Sequence, residues 1–207
     1  ISSVFDDGER GFSIIHQSHR SDEFEILLNK FKKQLRCFLN VPNTHEVLIV
    51  QGGATLTFSL LAQNFSHDSR VAQYLVSGFW SNLAAENASK IKNISIANIK
   101  GNIKSLFKNS SSKEWSYFHY VMNETVNGFF IDDEFELDCP IICDASSSLF
   151  GNVIDINKFD MIYSSSSKHL AVPGFTIVII KKDLFSKLNS KIPEIMSYEH
   201  WRKTSSI

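Results

Sequence analysis

Lys168 closes a run of four serines, Ser164 to Ser167, after the apolar stretch Met161-Ile162-Tyr163, and Pro173-Gly174 follows shortly. A lysine at the tip of a strand, flanked by small residues that leave room for a ligand, suits imine formation with a carbonyl cofactor. Burial lowers a lysine pKa and makes the amine nucleophilic. The other reading is a solvated surface charge. Asp144 ends a second apolar run, Pro140 to Cys143. A carboxylate there needs a partner: a protonated pyridine nitrogen would serve, or the residue caps a helix. Trp80 follows a third run and is either a flat surface for stacking on an aromatic cofactor or a core residue. Gly52-Gly53-Ala54-Thr55 lies between a strand and a helix start. Free amides and a helix N-terminus would hold a phosphate there, or the chain makes a tight turn. Thr125 and the Ser146-Ser147 hydroxyls are placed to hydrogen-bond a phenolic oxygen or a phosphate.

Pyridoxal phosphate needs all of these parts at once: a lysine for its aldehyde, a carboxylate for its ring nitrogen, an anion cup for its phosphate and a flat group against its ring. The order of cup, aromatic, threonine, aspartate and lysine, with the Asp144 to Lys168 separation, matches the large domain of fold-type I enzymes of that cofactor. A plain nucleotide-binding protein is the poorer match, because Gly52 to Thr57 has neither the Lys-Ser/Thr of a P-loop nor the glycine spacing of a dinucleotide fold.

The elements that must position these residues are legible from periodicity. Ser21 caps a helix whose first turn holds Asp22 and Glu23 and whose apolar stripe is Phe24, Leu27, Leu28, Phe31, Leu35, Phe38 and Leu39. Val47 to Val50 is a buried strand running into Gln51-Gly52-Gly53, and a helix containing Phe58, Leu60, Leu61 and Phe65 follows. Tyr74 to Val76 is the next strand, then a helix over roughly 82–90, then a strand near Ile94 to Ile96. Gly101 to Lys113 is weakly patterned, with Asn109 to Ser112 an expected loop. Tyr117 to Val121, Pro140 to Cys143, Met161 to Tyr163 and Phe175 to Ile180 complete the strands. Phe129 to Phe135 fits a hairpin arm or a loop, and Asp183 is expected to cap a short helix, Leu184 to Leu188. Alternating strands and helices predict an α/β fold: three layers, α/β/α, with a mostly parallel mixed sheet. Polar clusters follow five of the strands, and ligands bind outside the carboxyl ends of such sheets.

Bulk properties suit one domain. The 207 residues are 43% hydrophobic, with 17 phenylalanines, enough for a full core. A formal net charge of −1 provides no field for nucleic acid or an anionic membrane, and no apolar run has the length of a transmembrane helix. No signal peptide is visible. Cys37, Cys139 and Cys143 have no zinc spacing, and Cys139 and Cys143 in an extended strand would lie about 13 Å apart, too far to bridge. Buried free thiols in a reducing compartment are expected, which with the missing signal points to the cytoplasm.

Several stretches carry a closer likeness. They are Ser18-His19-Arg20-Ser21; Leu39-Asn40-Val41-Pro42; Gln51-Gly52-Gly53-Ala54; Ala72 through Trp80; Asn123-Glu124-Thr125-Val126-Asn127-Gly128; Asp144-Ala145-Ser146-Ser147; Lys168; and Pro173-Gly174-Phe175-Thr176. In these the chain resembles the phosphoserine aminotransferases, a branch of the class V aminotransferases, along nearly its whole length. The resemblance implies that Lys168 carries the covalent link to pyridoxal 5'-phosphate and shuttles the substrate proton. It implies that Asp144 holds the pyridinium, Trp80 stacks on the ring and Thr125 bonds the phenolic oxygen. Ala54, Thr55 and Ser167 would contact the cofactor phosphate, and His19 and Arg20 would face the substrate's anionic group. The implied reaction moves an amino group from glutamate to 3-phosphohydroxypyruvate, giving phosphoserine and 2-oxoglutarate in serine biosynthesis. The implied assembly is a homodimer with the active site at its interface.

The chain departs from that pattern at the lysine. The family's Gly-Ala-Gln-Lys is Ser165-Ser166-Ser167-Lys168 here, and its following Asn is His169. Residues 1–207 are expected to be the cofactor-binding large domain, without most of the preceding segment or the small C-terminal domain, so that the chain alone turns over little. The alternatives are another class V aminotransferase, or a degenerate relative kept for binding.

Overall fold

The computed structural model describes residues 18–66, 69–99, 107 and 112–206. Most of the Asn109 to Ser112 loop lies outside these residues. Helix α1 spans Asp22–Phe38, and the Ser21 hydroxyl accepts the Phe24 N–H at 3.2 Å. Its buried seam is narrower than the apolar stripe suggests: Leu28 and Leu35 are buried, whereas Leu27 and Phe38 are exposed. Phe38 instead stacks on Phe150 at the surface, 6.2 Å between ring centroids. Cys37, expected inside, is exposed, since it lies beside that seam rather than on it. Cys139 and Cys143 are buried free thiols.

Strand β1 (His45–Gln51) runs into α2 (Ala54–Asn64), and β2 (Val71–Val76) into α3 (Phe79–Ser89). Both helices begin a few residues earlier than the apolar pattern predicts, because Gly53 and Gly78 serve as N-caps immediately after their strands. Then come β3 (Ile94–Asn98), β4 (Trp115–Val121), the short β5 (Asn123–Glu124) and β6 (Phe129–Phe130), β7 (Ile141–Asp144), β8 (Met161–Ser165) and β9 (Phe175–Lys181). Of the ambiguous stretch Phe129 to Phe135, only Phe129–Phe130 forms a hairpin arm, paired antiparallel with β5, and the rest is a loop. The predicted helix at Leu184 to Leu188 is instead a 3-10 segment, Lys182–Lys187; Asp183 lies within its first turn rather than capping it. A helix that periodicity left unmarked, α4 (Tyr198–Lys203), is capped by Ser197.

The seven-stranded sheet has the order β1-β9-β8-β7-β4-β2-β3. The pairs among β8, β7, β4, β2 and β3 are parallel, while β9 is antiparallel to both β8 and β1. β1 therefore points the same way as β8. The exception has a simple cause: the connection over 166–174 is shorter than the dozen or so residues a parallel crossover needs. Consequently β1, β2, β4, β7 and β8 all deliver their carboxyl ends to one edge, where β9 begins.

Both faces of the sheet are covered. On one face α2 and α3 pack with Phe58, Leu61 and Ala85 against Tyr74, Ile142, Met161 and Tyr163. On the other, Leu35 and Leu39 join Val47, Phe118, Tyr120, Ile162 and Ile179. Five consecutive buried residues in β8 reflect this double cover. The first face also buries polar rings. Tyr74 and Tyr117 hydroxyls lie 2.7 Å apart, and His119 Nε2 lies 2.8 Å from the Tyr163 hydroxyl. Burial holds the His119 pKa down at about 3, so the ring is neutral. Among the described residues no helix is long and apolar enough to cross a membrane.

Candidate active site

The serines before Lys168 are not a solvated run. Ser164, Ser165 and Ser166 are buried and only Ser167 and Lys168 emerge. Ser166 closes the loop that carries the lysine: its hydroxyl donates to the Val172 carbonyl at 2.7 Å, its amide to Phe175 at 2.9 Å, and its carbonyl accepts from Ala171 at 2.9 Å. The Ser165 amide donates to the Ser146 hydroxyl at 3.1 Å, which ties the end of β8 to the loop after β7. Ser165 and Ser167 hydroxyls lie 3.0 Å apart. Small side chains thus allow the strand ends to approach and leave the Lys168 side chain facing a cavity.

That cavity, about 190 Å³, is lined by Ala54, Thr55, Trp80, Thr125, Asp144 and Lys168, with Ser146, Ser147, Ser165, Ser167 and Asn123 between them. Five strand ends that are far apart in sequence supply it. Asp144 is 3% exposed, and its Oδ1 accepts the Ser146 N–H at 2.8 Å. Burial pushes its pKa up to about 6 against the hydrogen bonds from Ser146, and the nearby Glu124 pushes the same way. Among the described residues no cation offsets these effects, so the site favours a positively charged partner at this carboxylate. The bond from Ser146 closes a local turn, and no helix follows for Asp144 to cap.

Trp80 lies in the first turn of α3, and its Nε1–H donates to the Thr125 hydroxyl at 3.0 Å. The indole is thereby half-exposed to the cavity rather than buried in the core. Opposite it, the start of α2 carries no side-chain cap. The Leu56 and Thr57 amides turn back on the Gly53 carbonyl, and among the described residues no acceptor meets the amides of Ala54 or Thr55. Gly52 adopts φ +88° and is pinned by Gly174, its amide donating at 2.8 Å, while its carbonyl accepts from the Thr176 hydroxyl at 2.8 Å. A helix start with free amides, backed by the Thr55, Ser165 and Ser167 hydroxyls, is a receptor for an anion.

His19 and Arg20 are not brought into this cavity. His19 lines a separate, larger cavity of about 500 Å³ with Phe24, Gln51, Phe175, Trp201 and Thr204, and Arg20 is exposed and lines neither. Asn123, expected among the polar clusters that follow the strands, also lines the cavity wall. Its Nδ2 donates to Ser147 at 3.0 Å, a contact signalled only by its place just past a strand end.

An aspartate that needs a cation, an amine, a ring-sized wall and an anion receptor share one small space. That donor set fits a flat cationic heterocycle carrying an aldehyde and a phosphate. Residues 9–199 match the family model for class-V aminotransferases. Among curated proteins, the phosphoserine aminotransferase of Acinetobacter baumannii is 33% identical over 204 residues, covering 96% of this chain and 57% of that protein. The phosphoserine aminotransferase of Shewanella piezotolerans is 37% identical over 207 residues with the same coverages. The chain therefore spans little more than half the length of these relatives. Among solved structures, a phosphoserine aminotransferase of Trichomonas vaginalis with bound PLP superposes with a TM-score of 0.88 at 26% identity, covering 100% of this chain and 63% of that one.

Proposed function

The chain belongs to the class-V aminotransferase family, and on that premise we propose that it is the pyridoxal-phosphate-binding large domain of a phosphoserine aminotransferase. The observation that carries this reading is the buried, uncompensated carboxylate of Asp144 in one cavity with the Lys168 amine. Bound there, pyridoxal phosphate supplies an electron sink that acidifies the substrate α-carbon. Lys168 would hold the cofactor and would move the proton at that carbon. Asp144 keeps the ring nitrogen protonated by offering it the compensation the carboxylate itself needs. Trp80 walls one side of the ring and Thr125 bonds its phenolic oxygen. The amides of Ala54 and Thr55, with Ser167, hold the phosphate.

Glutamate and 3-phosphohydroxypyruvate are the substrates in this reading, supported by the relatives above. His19, from its separate cavity, and the exposed Arg20 are assigned to the substrate's anionic group. Exposed Phe79 and Val126, next in sequence to Trp80 and Thr125 of the Lys168 cavity, support a homodimer in which a second copy covers that edge. Free cysteines support a cytoplasmic enzyme. The test uses the full-length protein. Pyridoxal phosphate should give a visible absorption band that Lys168→Ala abolishes, and glutamate with 3-phosphohydroxypyruvate should give turnover. Turnover only with keto acids that lack a phosphate would replace phosphoserine by another substrate. No band in the wild type would leave a degenerate relative.

A further inference from the structure

Helix α3 has no cap of its own, since Gly78 at the capping position has no side chain to offer. Its first amides nevertheless all find acceptors across the site. The Phe79 N–H donates to Asn127 Oδ1 at 2.9 Å, the Trp80 N–H to Glu124 Oε2 at 2.8 Å and the Ser81 N–H to Glu124 Oε1 at 2.8 Å. Glu124 is fully buried, so its two oxygens have exchanged water for adjacent amides at a helix N-terminus. That is where backbone dipoles favour negative charge most, and charge-assisted bonds are the stronger kind. The next residue, Thr125, accepts the indole N–H of Trp80. Two consecutive residues of one loop therefore grip Trp80 by its backbone and by its ring. The fit leaves no room at Gly78: a Cβ there would lie 2.8 Å from Glu124 Cδ and 2.5 Å from Asn127 Oδ1.

We propose that Glu124 is the positioning residue for Trp80, its carboxylate seating the start of α3 so that the indole forms the wall of the Lys168 cavity. The proposal rests on the cofactor reading for what the wall is used for, and its test separates the two. In full-length protein, Trp80→Phe sets the change expected when the wall is altered. Glu124→Gln keeps one acceptor oxygen but turns a donor toward the second amide. It should weaken pyridoxal phosphate binding roughly tenfold, the share of one charge-assisted bond that reaches the cofactor. The induced circular dichroism of the bound cofactor should move toward that of Trp80→Phe, and the double variant should be no worse than Trp80→Phe alone. Wild-type affinity and dichroism in a folded Glu124→Gln, or additive losses in the double variant, would overturn the proposal. Should Glu124→Gln fail to fold, Gly78→Ala springs the same contact without touching the charge and should give the same spectral change; a wild-type spectrum there also overturns it. A wild type with no cofactor band sinks the cofactor reading instead. The near-ultraviolet dichroism of Trp80, taken as wild type minus Trp80→Phe, then decides the proposal by its loss or survival in Glu124→Gln.

Discussion

Asp144→Asn should stabilise the protein in the absence of cofactor, and do so only where Asp144 is ionised. The folded structure raises this carboxyl from its ordinary value near 3.8 to about 6, mainly by burial. A folded pKa above the unfolded one means the native state binds the proton more tightly. Ionisation then opposes folding, and stability falls as pH rises from the unfolded pKa through the folded one. The shift corresponds to about 3 kcal/mol once the group is fully ionised, near pH 7.5, and to only about 0.5 kcal/mol near pH 4. Asn keeps an Oδ1 for the 2.8 Å bond from Ser146 and removes the charge together with its repulsion by Glu124. Urea denaturation of both proteins across that range measures the difference. The stability of Asp144→Asn minus wild type should grow by about 2 kcal/mol from pH 4 to 7.5, whatever constant offset the amide introduces. Taking a difference also cancels His119, whose lowered pKa tilts both proteins the same way. In the same variant pyridoxal phosphate should bind more weakly, because the neutral amide no longer rewards a pyridinium. A flat difference, or one that shrinks as pH rises, would refute the idea that this carboxylate is held at a cost that a cationic ligand relieves.

Three further outcomes are expected. Ser166→Ala removes the 2.7 Å bond to the Val172 carbonyl inside the Lys168 loop; it should cost about 1 kcal/mol in urea denaturation and broaden the cofactor titration. His119 is neutral in the fold, with a pKa of about 3 that lies below its unfolded value, so acid favours the unfolded state. Wild-type protein should therefore lose about 3 kcal/mol from this group by pH 4, a loss that His119→Gln removes from the pH profile of stability. Finally, on the proposed reading, the 207-residue chain expressed alone should show little turnover of glutamate with 3-phosphohydroxypyruvate, as it spans 57% of the length of the Acinetobacter relative.

The legible parts of this fold are those where one residue decides the local structure. Ser21 before an acidic first turn marks α1, and Val47 to Val50 without a polar residue marks a strand covered on both sides. The shared placement of Asp144 and Lys168 was legible for a similar reason: Asp144 ends one apolar strand and Lys168 follows the serines after another, and both strands end at one edge. What periodicity missed depends on contacts distant in sequence. The antiparallel course of β9 follows from the length of the 166–174 connection, and α4 has only Ser197 at its N-cap to announce it. His19 could be placed on the substrate side only by resemblance, and its separate cavity depends on Trp201 and Thr204, far along the chain. Glu124 was unreadable as a functional residue because its partners are the amides of Trp80 and Ser81, and a backbone amide leaves no trace in residue type.

Two helices begin at the Lys168 cavity, and each presents a partial positive charge, yet they are not equivalent. The start of α3 is sealed from within by Glu124 and Asn127, which take its first three amides. The start of α2 is left open, with Gly53 offering no side chain and the amides of Ala54 and Thr55 free of acceptors among the described residues. An anion entering the cavity meets only one vacant helix start. On the proposed reading, the ligand would lie with its anionic end at α2, its aromatic body against Trp80 and its cationic ring atom toward Asp144. The altered lysine loop is compatible with that polarity. Ser166 buries its hydroxyl at no polar deficit by bonding Val172, and the short Ser167 stands beside Ser165 at 3.0 Å, so that two hydroxyls face the open helix start where one longer side chain would otherwise reach.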